Sequence, residues 1–72
     1  MVRIGILGSG AVGTAVGIGF MKLGNQVTFY DLDGQRVREL CNLGFNARTD
    51  LARVIDQSDI SFLCVPTPTR NR

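Results

Sequence analysis

The residues best suited to chemistry lie early in the chain. Gly8-Ser9-Gly10-Ala11-Val12-Gly13 has the spacing GxGxxG. It follows an apolar run and opens a helical pattern, the context in which such a loop is a dinucleotide fingerprint. Gly8 permits a tight turn, Gly10 lets a pyrophosphate reach the backbone, and Gly13 lets the helix press on the preceding strand. The free N–H groups and dipole at the helix start, along Ser9, Ala11 and Val12, favour phosphate. Asp31 stands at the end of the next apolar run, about where the fingerprint places an acid. Its carboxylate can accept hydrogen bonds from both hydroxyls of an adenosine ribose and would repel a 2′-phosphate, so the expected cofactor is NAD rather than NADP. Two further residues keep two readings each. Asp33 suits a helix cap or a ribose contact. Arg36 suits a contact to the adenine ribose or a phosphate, or a solvated helix face.

Other chemistries find little support. There is no histidine, and Cys41 and Cys64 are far apart with no CxxC spacing, so no metal site is expected. Both cysteines sit in apolar contexts and read as buried free thiols in a reducing cytoplasm. The formal charge of +2 is too small to argue for nucleic acid or a membrane surface. The basic residues are spread out, without the interleaved aromatics of a single-strand binder. Arg3 and the glycines interrupt the apolar start, so it does not read as a signal peptide. No apolar stretch approaches the roughly 20 residues of a spanning helix.

The elements that must position the loop and the acid follow from periodicity. Val2–Leu7 reads as a strand, and Gly5 within it suggests close approach of another backbone. Val12, Ala15, Val16, Gly19, Phe20 and Leu23 form a helical stripe closed by Gly24. Gly17 and Gly19 inside that helix imply close packing, since each costs roughly 1 kcal/mol relative to alanine. Gln26–Tyr30 is a second strand. Asp33 opens a second helix, with Val37, Leu40 and Cys41 inward and Gly44 at its end. Phe45–Arg48 is a short third strand. Thr49 or Asp50 caps a third helix with Leu51, Val54 and Ile55 on one face. Ile60–Val65, between Asp59 and Pro66, reads as a buried strand. The expected fold is α/β: an incomplete Rossmann-type parallel sheet of about four strands with three flanking helices. At 72 residues the chain is shorter than the roughly 100–150 of a complete doubly wound domain. The expectation is one dinucleotide-binding unit over residues 1–72, an N-terminal fragment of a longer protein.

Three stretches together resemble a family: IGILGSGAVG at 4–13, VTFYDLDGQRV at 27–37 and FLCVPTPT at 62–69. They are similar to the N-terminal NAD-binding part of the UDP-glucose/GDP-mannose dehydrogenases. The first stretch is shared with many dehydrogenases, whereas the last, an apolar strand running into Val65-Pro66-Thr67-Pro68, is the most specific. The resemblance implies that Gly8, Gly10 and Gly13 hold the pyrophosphate. It implies that Asp31 holds the ribose, that Arg36 lies near the adenine ribose, and that Val65 and Thr67 sit beside the cofactor at the strand exit.

The resemblance also implies an activity: oxidation of a sugar's primary alcohol to a carboxylate in two hydride transfers through a thiohemiacetal-linked step. The nucleotide sugar would be held by a downstream domain, together with a catalytic cysteine, lysine and asparagine. No catalytic residue is assigned within the chain, because neither Cys41 nor Cys64 matches that motif. One departure is the direct run from Gly44 to Thr49, where many members carry a longer segment. That compactness equally fits β-hydroxyacid dehydrogenases of the 3-hydroxyisobutyrate and 6-phosphogluconate type. A non-catalytic nucleotide-binding module is the alternative of a different class. A cytoplasmic location is expected, and a homo-oligomer is compatible with all three.

Overall fold

The computed structural model describes residues 1–64. Val65 and Thr67, two of the expected site residues, lie outside the described residues. The elements run β1 (Arg3–Leu7), α1 (Ala11–Lys22), β2 (Gln26–Tyr30), α2 (Gly34–Asn42), β3 (Asn46–Arg48), α3 (Leu51–Asp56) and β4 (Ile60–Leu63). The four strands form one sheet in the order β3-β2-β1-β4, with every pair parallel. This is the expected incomplete Rossmann-type α/β fold. The chain steps outward from β1 to β2 to β3, then crosses back to place β4 on the other side of β1. The carboxyl end of β1 is therefore the topological switch point, where open α/β sheets receive ligands.

Alternation along the strands sorts the two faces. Ile4 and Ile6 of β1, Val27 and Phe29 of β2, Ala47 of β3 and Leu40 of α2 make the core, with Val16, Phe20 and Met21 of α1 packed against it. Ile6 and Phe29 have no solvent exposure, and complete burial of such side chains stabilises a fold by about 1.5–3 kcal/mol each. On the opposite face α3 covers Gly5 through Val54 and the Ser58 side chain that follows it. Gly5 thus admits side chains of the α3 segment, not a second backbone as expected.

Helix ends follow the capping chemistry of the sequence. Asp33 accepts the Gln35 N–H and opens α2, and Asp50, rather than Thr49, accepts the Arg53 N–H and opens α3. Gly24 and Gly44 take φ of +90° and +92° just beyond α1 and α2, a backbone conformation open to glycine at little cost.

Several inward assignments require correction. On α1 the buried positions are Gly13 and Gly17, while Val12 and Leu23 are 70% and 78% exposed. The helix is rotated from the predicted stripe because glycine, which carries no hydrophobic weight in a periodicity reading, allows the closest approach. A Cβ at Gly17 would collide with the Phe29 ring, whereas one at Gly19 meets nothing. Cys41 is exposed, its thiol directed at the Ala47 carbonyl oxygen at 3.5 Å. Leu51 and Ile55 are also exposed, leaving Val54 as the inward residue of α3. β4 is the largest difference: all four of its residues are exposed. Among the described residues it is an edge strand, and the Phe20 ring of α1 stacks on Phe62 at 5.1 Å.

Candidate functional site

The loop between β1 and α1 is built by backbone demands that glycine alone meets. Gly8 has φ of +104°, and its N–H donates to the Tyr30 carbonyl at 2.8 Å, continuing the β1–β2 ladder by one bond. A Cβ at Gly13 would strike the Gly8 carbonyl oxygen and press on Cys64, so α1 can approach the strand end this closely only without a side chain there. Gly10 is the N-cap of α1 and has an ordinary extended conformation. A Cβ at Gly10 would meet no atom of the other described residues within 4 Å. Its lack of a side chain answers no demand of the fold, and the open space in front of it is what a ligand approaching the main chain needs. α2 and α3 each carry a capping aspartate, but α1 has no side-chain cap and no acid in its first turn. Its first N–H groups, from Ala11 onward, thus face outward with the positive end of the helix dipole.

Parallel pairing places Tyr30 beside Leu7, and so brings Asp31 against the glycine loop. Asp31 Oδ2 accepts the Ser9 N–H at 3.1 Å and the Ser9 hydroxyl at 2.8 Å, and Oδ1 accepts the Asp33 N–H at 2.9 Å. Partial burial pushes the Asp31 carboxyl upward. The hydrogen bonds from Asp33 and Ser9, with the Arg36 charge, outweigh that and hold it below the usual carboxylate range. It is therefore ionised throughout the neutral range.

Arg36, from the first turn of α2, reaches back to the same loop. Its Nε donates to the Ser9 carbonyl oxygen at 2.8 Å, its Nη2 donates to Thr14 Oγ1 at 3.3 Å, and its Nη1 lies 3.5 Å from Glu39 Oε1. Thr14 Oγ1 in turn donates to the Ser9 carbonyl at 3.1 Å. Asp33 serves as a helix cap, the first of its two sequence readings.

A cleft of about 550 Å³ opens at this end of the sheet, lined by Gly8, Ser9, Gly10 and Asp31 on its polar side and by Tyr30, Leu32, Leu51 and Leu63 on its apolar side. Leu32 is 84% exposed and Leu51 41%. These leucines, together with Thr14, are what sequence reasoning missed. Leu32 follows the acid directly, and an exposed apolar residue at that position was the available signal. The structure thus gathers Gly8, Ser9, Gly10, Ala11, Val12, Gly13, Asp31 and Arg36 at one corner, although Arg36 is engaged with the loop itself. Among the described residues no group of three or more histidine, cysteine, aspartate or glutamate side chains is placed to hold a metal ion. Nor is any helix there long and apolar enough to cross a membrane.

An uncapped helix at a switch point, a glycine loop with open space before it and an acid at the end of the adjacent strand define a Rossmann-type nucleotide-binding module. The family model described as NADP oxidoreductase, coenzyme F420-dependent, matches residues 3–70, and the chain belongs to that family. No curated protein matches the chain. The match upholds the coarser part of the resemblance read from the sequence, the N-terminal NAD(P)-binding domain of a dehydrogenase, without singling out the UDP-glucose/GDP-mannose group.

Proposed function

We propose that the chain binds NAD in the cleft between the glycine loop and Asp31, and presents the nicotinamide to a substrate for hydride transfer. The carrying observation is the ionised Asp31 carboxylate hydrogen-bonded to Ser9, directly beside the open Gly10 position. The pyrophosphate would lie over Gly10 and the first N–H groups of α1, which can donate to it without displacing any protein side chain. The adenine would lie among Leu32, Leu51 and Leu63, whose exposed apolar surface suits a flat ring. A carboxylate has about four acceptor positions, and Asp31 commits three of them to Ser9 and Asp33. One ribose hydroxyl takes the fourth, and a second is accommodated when the Ser9 hydroxyl turns away. The bound cofactor would supply hydride acceptance and donation.

The matched family's printed description names NADP, so cofactor preference is the decisive test. A 2′-phosphate near Asp31 would set like charges a few ångströms apart, at a cost of order 1–3 kcal/mol in a partly solvated cleft. Arg36, with its guanidinium committed to Ser9, Thr14 and Glu39, offers little relief. The expected result by titration calorimetry is NADH bound at least tenfold more tightly than NADPH. Equal or tighter NADPH binding would remove Asp31 from the ribose site.

For the reaction, the reading carried by the Phe62–Thr69 run is oxidation of a nucleotide sugar, with the sugar nucleotide held by residues beyond this unit. A second reading is favoured by the family match: hydride exchange between NADP and a coenzyme of the F420 type. Assaying the natural full-length protein with UDP-glucose or GDP-mannose plus NAD, and with reduced F420 plus NADP, separates them. Reduction of NAD by a sugar nucleotide is the expected outcome, and turnover only in the F420 assay would replace the sugar reading with the second.

A further inference from the structure

Ser9 has no solvent exposure, and each of its polar groups is held by a charged side chain from the β2–α2 segment. Asp31 takes the N–H and the hydroxyl. Arg36 Nε takes the carbonyl oxygen at 2.8 Å, the shortest of its contacts. Thr14 closes a three-membered ring, donating to the Ser9 carbonyl and accepting from Arg36 Nη2. The carbonyl of Ser9 belongs to the peptide unit whose N–H is that of Gly10, so fixing one end of that plane fixes the other. That peptide immediately precedes the first turn of α1, the surface read above as the pyrophosphate seat.

From this geometry we infer that Arg36 is a positioning residue: it clamps the Ser9–Gly10 peptide of the glycine loop through its Nε–H, and does not bind the cofactor's phosphate or ribose through its charge. The inference rests on the cofactor reading for what the clamp is for, while the clamp itself has a readout without ligand. The pair with Glu39 is half-exposed and longer, so it adds orientation rather than strength. The Nε contact is a short, charge-assisted hydrogen bond to a buried carbonyl, stronger than the neutral Thr14 hydroxyl bond to the same oxygen.

Two substitutions separate position from charge. Arg36→Gln places an amide N–H the same number of bonds from the backbone as the arginine Nε, without charge. Arg36→Lys keeps the charge but puts its only nitrogen one bond further out and loses the planar fork. The test measures ADP-ribose affinity by calorimetry and, without ligand, the amide shifts and exchange rates of Ser9 and Gly10 by NMR. The positioning role expects Arg36→Gln to stay within about threefold of the parent with its loop amides unchanged. It expects Arg36→Lys to lose about tenfold, with both amides displaced. The reverse order, loss in both, or loss in neither would overturn the inference. Should the parent chain fail to bind ADP-ribose, the cofactor reading falls, and the ligand-free amides of the two variants still decide whether the clamp exists.

Discussion

Replacing Gly10 with valine is expected to leave the chain folded and to reduce NADH affinity about a hundredfold or more. The two halves of this result have separate causes. Folding survives because Gly10 has φ of −70° and ψ of −166°, which any residue adopts, and because a Cβ there meets nothing within 4 Å among the described residues. Binding fails because the branched side chain would fill the space through which a pyrophosphate reaches the α1 N–H groups. Losing two charge-assisted hydrogen bonds of about 1.5–3 kcal/mol each suffices for that factor. Thermal melting by circular dichroism and titration calorimetry on the same sample read the two halves. A folded variant with unchanged affinity would show that the cofactor does not cross this loop.

Gly13→Ala is expected to do the opposite: to strike stability first. Its Cβ would collide with the Gly8 carbonyl oxygen and touch Cys64. The Gly8 side of that contact is backbone in a positive-φ turn, itself held by the Gly8–Tyr30 hydrogen bond, so it cannot swing aside. Forcing a methyl into such a contact costs about 3 kcal/mol, at the upper end for overpacking. In a domain of this size that lowers Tm by roughly 12–24 °C. Gly19→Ala, in the same helix but open to solvent, should instead gain up to about 1 kcal/mol from helix propensity. Equal melting temperatures for the two variants would mean that α1 does not press on the β1 turn as described.

The contrast between these glycines marks where sequence reasoning stopped. The loop, the acid and their order along the chain were legible because each is a local requirement. GxGxxG between a strand and a helix, Asp31 at a strand end, and Asp33 with Gly44 around a helix follow from backbone preferences that neighbours in sequence set. The functions of individual glycines were not legible. Gly17 is packed under Phe29 and Gly19 is bare, yet the two look alike in a periodic pattern. Arg36 shows the same limit from the polar side. Its spacing from Asp31 suited a ligand contact, and only the folded chain brings its Nε to the Ser9 carbonyl.

By itself the sequence determined that strands and helices alternate, that a phosphate-compatible loop follows the first strand, and that an acid follows the second. Apolar periodicity, turn glycines and capping aspartates act over a few residues, so no tertiary information is needed. The tertiary structure alone decided which apolar run would be covered. Ile60–Leu63 has the composition of a buried strand, but the crossover through α3 places it beside β1 at the edge of the described sheet, where among the described residues it pairs with β1 alone and all four of its residues are exposed. It also decided the site. The order β3-β2-β1-β4 turns the carboxyl end of β1 into the switch point, and parallel register sets Tyr30 beside Leu7. That register brings Asp31 onto Ser9 across 22 residues of chain and Arg36 onto the same residue across 27. Contacts at such separations depend on strand pairing, and pairing is a property of the whole sheet.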